Sequence, residues 1–121
     1  KAPSGGPLVQ HGLVAMLEAY HQGKITIEKI VEKMCHNPAI LFQIEKRGYI
    51  KEGFFADLVI VNTNHPWTVN KENIVCKCGW SPFEGVSFKS RISHTFVNGE
   101  LVYENFKFYN ANAAKRLTFS R

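Results

Sequence analysis

The stretch "SHTFVNGELVYE", residues 93–104, decides the fold of this chain more than any other stretch. Its Asn-Gly pair at 98–99 suits a two-residue type I′ turn, because both central positions of that turn need a positive φ. Strand-forming residues flank the pair on both sides. The stretch therefore predicts a β-hairpin. Its register sets two cross-strand pairs: Phe96 with Leu101, and Thr95 with Val102.

On either side of Gly48, the pattern of apolar residues in the chain differs. After it, the apolar run at 58–61, closed by Asn62, is continuous rather than alternating, which is typical of a strand covered on both faces. Before it, apolar residues recur at helical spacing. We therefore expect an α+β chain with two parts, residues 1–47 and residues 48–121.

Two helices and a short third one are predicted in the first part. The first runs from Leu8 to a stop at Gly23, and its expected apolar face comprises Val9, Leu13, Met16, Leu17 and Tyr20. Thr26 is expected to cap the second helix. The stretch "HNPAILF" predicts a break and a restart, with Asn37 as the cap and Pro38 at the first helical position.

The composition limits the classes of protein to which this chain can belong. The 121 residues, 45% of them hydrophobic, suit one modest globular unit. The net charge of +5 comes from scattered Lys and Arg, whereas nucleic-acid binding favours a clustered basic stripe, so no nucleic-acid partner is expected. No apolar run is long enough for a membrane span, and the first residues do not resemble a secretory signal. Because the chain opens without Met inside a Gly/Pro loop, we expect a fragment of a longer protein.

The cysteines at 35, 76 and 78 form an odd and sparse set, which predicts a reduced, cytoplasmic protein. Cys76 and Cys78 lie in "CKCGWSPFEG" and would share one face of a strand. A structural zinc site needs four ligands, and no second Cys or His pair follows. A pair of small apolar residues packed on one strand face is the favoured interpretation. No metal ligand is expected in this chain.

Single histidines and carboxylates offer few catalytic candidates. His11 stands out, because it lies near a helix start and beside the Gly/Pro loop, although a lone histidine is more often structural. His21 and His36 are expected at helix ends, where imidazole can bond free carbonyl groups. Asp57 and Glu84 are expected to accept backbone N–H bonds. No catalytic residue is expected in this chain.

The loop "APSGGP", residues 2–7, is the main binding candidate. Glycine lets the backbone approach a ligand closely, and a Gly-rich loop that leads into a helix points N–H donors at an anion. A flexible end is the alternative, and composition favours neither.

Several of these stretches together resemble a known family. "NPAILFQIEKRGYIKEGFFADLVIVN" (37–62) resembles the carboxy-terminal signature of the amidohydrolase superfamily. "CKCGWSPFEG" (76–85) followed by "SRISHTFVNGELVYE" (90–104) is similar to its cyclic-amidohydrolase branch, most closely the dihydroorotases. The opening "KAPSGGP" resembles the loop after the last barrel strand of those enzymes. The resemblance runs from residue 1 to about residue 104.

The resemblance implies the last helices of a TIM (β/α)8 barrel followed by part of a small β-sandwich. It also implies a zinc-dependent parent enzyme in pyrimidine synthesis, with dihydroorotate and carbamoyl aspartate as its ligands and with all zinc ligands before Lys1. The backbone of Pro3, Ser4 and Gly5 would contact the substrate. Gln10 departs from the Glu that is common in the family. We expect the parent to be a homo-oligomer and the fragment alone to be inactive and to bind no zinc.

Trp80 and Phe83 would pack the tail against the barrel. Three alternatives stay open: a non-catalytic scaffold subunit related to dihydroorotase, an allantoinase or hydantoinase, and a free-standing β-rich interaction module.

Overall fold

A computed structural model describes residues 5–110 and 112–120. The helical part comes first and comprises α1 (Gly12–His21), α2 (Ile27–Val31), a π-helical turn (Glu32–His36) and α3 (Asn37–Leu41). A 3₁₀ turn, Lys71–Asn73, lies within the second part. The strands are β1 (Leu58–Asn62), β2 (Trp67–Thr68), β3 (Ser87–Phe88), β4 (Arg91–Val97), β5 (Glu100–Glu104) and β6 (Lys107–Phe108). In the part of the chain that the structure describes, no helix has both the length and the apolar character needed to cross a bilayer.

The strands form two antiparallel sheets. One has four strands in the order β1-β4-β5-β6, and the other pairs β2 with β3. β1 is therefore an edge strand. Its Val59 and Ile60 are 47% and 50% exposed. The prediction that this strand is covered on both faces was wrong for the described residues, because successive strand residues point to opposite faces and both of these side chains are about half exposed.

The predicted hairpin is confirmed as β4 and β5. Asn98 and Gly99 have φ angles of 51° and 80°, which is the conformation that the Asn-Gly pair was expected to adopt. The N–H of Gly99 also donates to the carbonyl of Ala56, 3.0 Å away. The turn is therefore fixed to the chain just before β1.

The register of the hairpin is partly as predicted. Phe96 lies opposite Leu101, but Thr95 lies opposite Tyr103 instead of Val102. The register shifts between Thr95 and Phe96, so that the β5 side holds one extra residue. Such a bulge increases the local twist of the strands, which the turn sequence alone does not reveal.

Helix α1 begins four residues later than predicted. Residues 8–11 form a turn in which the N–H of His11 donates to the carbonyl of Leu8, 3.1 Å away. Val9, expected on the apolar face, is fully exposed. The buried positions follow a spacing of three residues: His11, Val14 and Leu17.

The second helix starts as predicted, with the Thr26 hydroxyl accepting the N–H of Lys29 at 3.2 Å. The predicted break at Asn37 was wrong, because helical structure continues without interruption from Ile27 to Leu41. Pro38 cannot donate to the carbonyl four residues back, and its ring would clash there. The π-helical turn that precedes α3 widens the helix just before this proline.

The described core lies between α1 and the β2–β3 pair. Val14, Val69 and Phe88 are each at most 2% exposed. Partly buried apolar side chains surround them: Ala15, Trp67, Ile74, Phe83 and Ile92.

The end of the chain returns to the first part. The N–H of Glu45 donates to the carbonyl of Thr118 at 3.0 Å, and that of Ser120 to the carbonyl of Gln43 at 2.9 Å. The boundary near Gly48 stays a prediction, and these hydrogen bonds join its two sides.

Candidate functional site

The Gly-rich loop is described from Gly5 onward, and Pro3 and Ser4 lie outside the described residues. Gly5 is exposed and has φ +77°. Among the described residues other than its chain neighbours, no heavy atom lies within 4 Å of the place where a β-carbon would be. Glycine is therefore favoured here by its backbone conformation, since a side chain would meet open space.

The loop ends in a turn that leads into α1. The N–H of Leu8 donates to the carbonyl of Gly6 at 2.9 Å, and Gln10 and His11 follow directly. We call Gln10 and His11 the loop anchor, because their side chains bind the segment that runs from the end of the 3₁₀ turn to β3.

Gln10 binds two backbone groups of that segment. Its Nε2 donates to the carbonyl of Asn73 at 2.6 Å, and its Oε1 accepts the N–H of Val75 at 3.0 Å. One donor and one acceptor are needed at once, and an amide provides both. An ionised Glu only accepts, so its second oxygen would face the Asn73 carbonyl. A glutamine at position 10 therefore suits these surroundings.

His11 is the other half of the anchor and is only 1% exposed. Its Nδ1 lies 3.0 Å from the hydroxyl of Ser81, which also accepts the N–H of Phe83 at 3.2 Å. The rings of Trp67, Phe83 and Phe88 lie 6.0–6.4 Å away, centroid to centroid. His11 thus lies among aromatic side chains and connects α1 to the "WSPFEG" stretch.

The second ring nitrogen of His11, Nε2, is buried and has no hydrogen-bond partner within the described chain. Burial lowers the pKa of the imidazole from its ordinary value of 6.5. His11 is therefore neutral near pH 7. The sequence indicated His11 as a candidate because it lies beside the Gly-rich loop. Its burial and its contact with Ser81 could not be predicted from that position.

Cys76 and Cys78 do not pack as predicted. They lie in a turn rather than on a strand, and Cys78 is exposed while Cys76 is half-buried. Their sulfur atoms are 3.3 Å apart. Across residues 5–110 and 112–120, no three His, Cys, Asp or Glu side chains come together in a way that could hold a metal ion.

Trp80 and Phe83 were expected to pack the tail against the barrel, and that contact stays a prediction. Within the described residues, Phe83 packs against the core, with its ring centroid 5.5 Å from that of Phe88, whereas Trp80 is 44% exposed. Trp80 precedes the buried Ser81, whose hydroxyl turns toward His11. That contact leaves the Trp80 ring at the surface of the described chain.

The two candidate carboxylates, Asp57 and Glu84, differ in their contacts. Asp57 accepts the backbone N–H of Asn98 at 2.8 Å, as predicted for a structural carboxylate, and also pairs with Arg47. The Arg47 guanidinium in turn donates to the Asn98 side chain at 2.8 Å. Asp57 therefore fixes the hairpin turn. Glu84 is exposed, and its backbone N–H donates to the carbonyl of Ser81.

Within residues 5–110 and 112–120, neither of the other two helix histidines bonds a free carbonyl as expected. His21 does lie at the end of α1, but its Nε2 is 2.8 Å from the hydroxyl of Ser90. His36 ends the π-helical turn inside a continuous helical stretch. Its ring stacks on Tyr49 at 4.1 Å.

The comparisons with known proteins bear on most of the chain. The model of the amidohydrolase family matches residues 5–102. The dihydroorotase of Pyrococcus horikoshii is 38% identical over 102 residues, which are 84% of this chain and 24% of that protein. The dihydroorotase of Clostridioides difficile is 38% identical over 104 residues, 85% of this chain and 24% of the relative.

Among solved structures, the L-hydantoinase (dihydropyrimidinase) of Arthrobacter aurescens superimposes with a TM-score of 0.84 at 28% identity. The match covers 90% of this chain and 25% of that one. The chain thus spans about a quarter of the length of the relatives it matches. Its α+β structure agrees with that of a piece of such a protein, while the barrel and the sandwich stay predictions. By the family match and by these relatives, the chain belongs to the amidohydrolase family.

Proposed function

We propose that this chain is part of a dihydroorotase, which hydrolyses the cyclic amide of dihydroorotate to carbamoyl aspartate in pyrimidine synthesis. The observation that carries the proposal is the anchored Gly-rich loop: Gln10 and His11 fix its base, while Gly5 stays exposed. The named dihydroorotases among its relatives support the choice of substrate.

In this proposal the chain binds substrate and carries no catalytic residue. The ring amide of dihydroorotate offers an N–H donor next to a carbonyl acceptor. A backbone has one N–H and one C=O per residue and can meet both. Pro3, which lacks an N–H, would offer only its carbonyl, whereas Ser4 and Gly5 would offer both groups.

The zinc of the proposed enzyme needs ligands from elsewhere in the protein. A catalytic zinc takes about three protein ligands, and the described residues bring no such group together. The described part of this chain therefore does not fit a zinc site. The family resemblance implies that the ligands precede Lys1.

A hydantoinase or dihydropyrimidinase is the second candidate. The superposition on the Arthrobacter aurescens enzyme, with a TM-score of 0.84, favours it. Both candidates open a cyclic amide, so they differ in the ring that is bound and not in the bond that is broken. Turnover of dihydroorotate and of hydantoin by the full-length protein separates them. A full-length protein that turns over neither would favour the scaffold alternative.

The loop is tested by Gly5→Ala in the full-length protein, with Gly23→Ala as the matched control. Both glycines have left-handed φ angles, +77° and +70°, and both would place a β-carbon in open space. Alanine should therefore cost each a similar backbone strain of about 1–2 kcal/mol. Gly23 follows the end of α1 and lies outside the loop.

We expect both variants to lose similar stability and to retain their zinc. Only Gly5→Ala should lower kcat/KM for dihydroorotate, by about tenfold, which is about 1.4 kcal/mol of transition-state stabilisation. Equal kcat/KM values for the two variants would remove the loop from the active site. Metal content and urea unfolding, measured on the same samples, separate a binding defect from misfolding.

A further inference from the structure

The paired cysteines have a geometry that their spacing in sequence did not predict. The N–H of Gly79 donates to the carbonyl of Cys76 at 3.0 Å, which closes a tight turn over residues 76–79. The turn brings the two sulfur atoms within 3.3 Å of each other. Both thiols also lie near the carbonyl oxygen of Trp80, at 3.3 Å and 3.7 Å.

The two thiols differ in access and in acidity. Cys78 is exposed, whereas Cys76 is half-buried. Hydrogen bonding with the backbone of Trp80, and then with the Cys76 thiol, lowers the pKa of Cys78 below its ordinary value. The thiolate is the nucleophilic form of cysteine and Cys78 is the more exposed of the two thiols, so Cys78 is the sulfur that reacts first with an incoming electrophile.

We propose that Cys76 and Cys78 form a reversible dithiol–disulfide site that reacts with small-molecule disulfides. The Cys78 thiolate attacks one sulfur of the incoming disulfide. The old S–S bond breaks, a mixed disulfide forms at Cys78, and one small thiolate leaves. Cys76 then loses its proton to solvent and attacks the Cys78 sulfur, which expels the second small thiolate.

The electrons balance in these two steps. The two cysteines give up two electrons as their disulfide forms, and the incoming disulfide gains them and becomes two thiols. The ring closed by a disulfide between residues i and i+2 is small. Exposed or strained disulfides of this kind are oxidising and easily reduced, in contrast to structural ones. The site is therefore labile, and it differs from the inert packed pair that the sequence suggested.

Peptide mapping tests the proposal directly, because Lys77 lies between the two cysteines. The full-length protein is incubated in its folded state with oxidised glutathione until Cys35, an exposed single thiol, carries the adduct. Free thiols are then alkylated and the chain is digested with trypsin. Cleavage after Lys77 places the two cysteines in separate peptides, residues 72–77 and 78–89. Only a disulfide keeps these two peptides joined.

We expect peptides 72–77 and 78–89 to be joined by a disulfide, with no glutathione on either of them, in the wild-type chain and in the Cys35→Ser control. Cys76→Ser should leave glutathione on Cys78, and this adduct should form about tenfold faster than the one on Cys35. In Cys78→Ser, Cys76 should take up glutathione more slowly than Cys78 does in Cys76→Ser, because the Cys76 thiol is half-buried. Separate peptides in the wild-type chain, either both unmodified or both carrying glutathione, would overturn the proposal. Reaction of Cys78 no faster than that of Cys35 would also contradict it.

Discussion

Replacing His11 by Phe should remove an acid-sensitive part of the stability of this chain. The imidazole is 1% exposed, its Nε2 has no partner within the described residues, and burial lowers its pKa. In the unfolded chain the same group titrates near its ordinary value of 6.5. Below that pH the unfolded state therefore binds a proton that the folded state does not.

The difference in proton binding between the folded and unfolded states determines how the free energy of unfolding changes with pH. A depressed folded pKa gives stability that is fully present above the unfolded pKa and is lost as the pH falls toward the folded one. One proton corresponds to about 1.4 kcal/mol per pH unit, so the wild-type chain should lose up to about 1.4 kcal/mol between about pH 7.5 and about pH 5.5 through His11. Phe keeps an aromatic ring among the three neighbouring rings but has no nitrogen to protonate.

Urea unfolding at fixed protein concentration, repeated across this pH range, measures the effect. The His11→Phe chain should show a smaller loss of free energy of unfolding than the wild type, by up to about 1.4 kcal/mol. Ser81→Ala is the control, because it removes the partner of Nδ1 but leaves the histidine in place. It should lower stability at every pH by about 1–3 kcal/mol while retaining the acid-dependent loss. Parallel curves for wild type and His11→Phe would refute the buried, neutral histidine.

Two further predictions concern the anchor and the exposed sheet edge. Gln10→Glu should destabilise the chain by about 1–2 kcal/mol at pH 7, because a carboxylate would face the Asn73 carbonyl. Gln10→Ala, the control, should cost no more stability than this. A Glu variant that is as stable as wild type in urea unfolding would contradict the paired hydrogen bonds. The chain should also self-associate through the open edge of β1, and Val59→Lys should reduce this association, because charged residues protect sheet edges. Light scattering at increasing protein concentration measures it, and a wild-type chain that stays monomeric would contradict the prediction.

Local signals in the sequence predicted the elements that depend on neighbouring residues. The Asn-Gly turn, the Thr26 cap and the apolar run of β1 each follow from backbone preferences within a few positions, and all three are present. The helix break at Asn37 was predicted by the same kind of signal and is absent. There the π-helical turn accommodates Pro38, which the local rule treats as a stop.

The candidate site also has features that the sequence predicted and features that it did not. The glycine-rich loop and the position of His11 beside it were visible in the sequence, because glycine content and adjacency are local properties. The partners of the anchor were not visible, since Gln10 binds residues 63 and 65 positions away and His11 binds Ser81, 70 positions away. The contact between the two cysteine thiols depended on a turn where the sequence suggested a strand.

The sequence by itself determined the hairpin, the helix start at Thr26 and the resemblance to cyclic amidohydrolases, because each rests on residue types at short, fixed spacing. Only the tertiary structure decided that His11 is buried against Ser81, that β1 lies at a sheet edge and that Cys78 is exposed beside Cys76. Burial and strand order result from contacts between distant parts of the chain, and many arrangements of those parts satisfy the same local preferences.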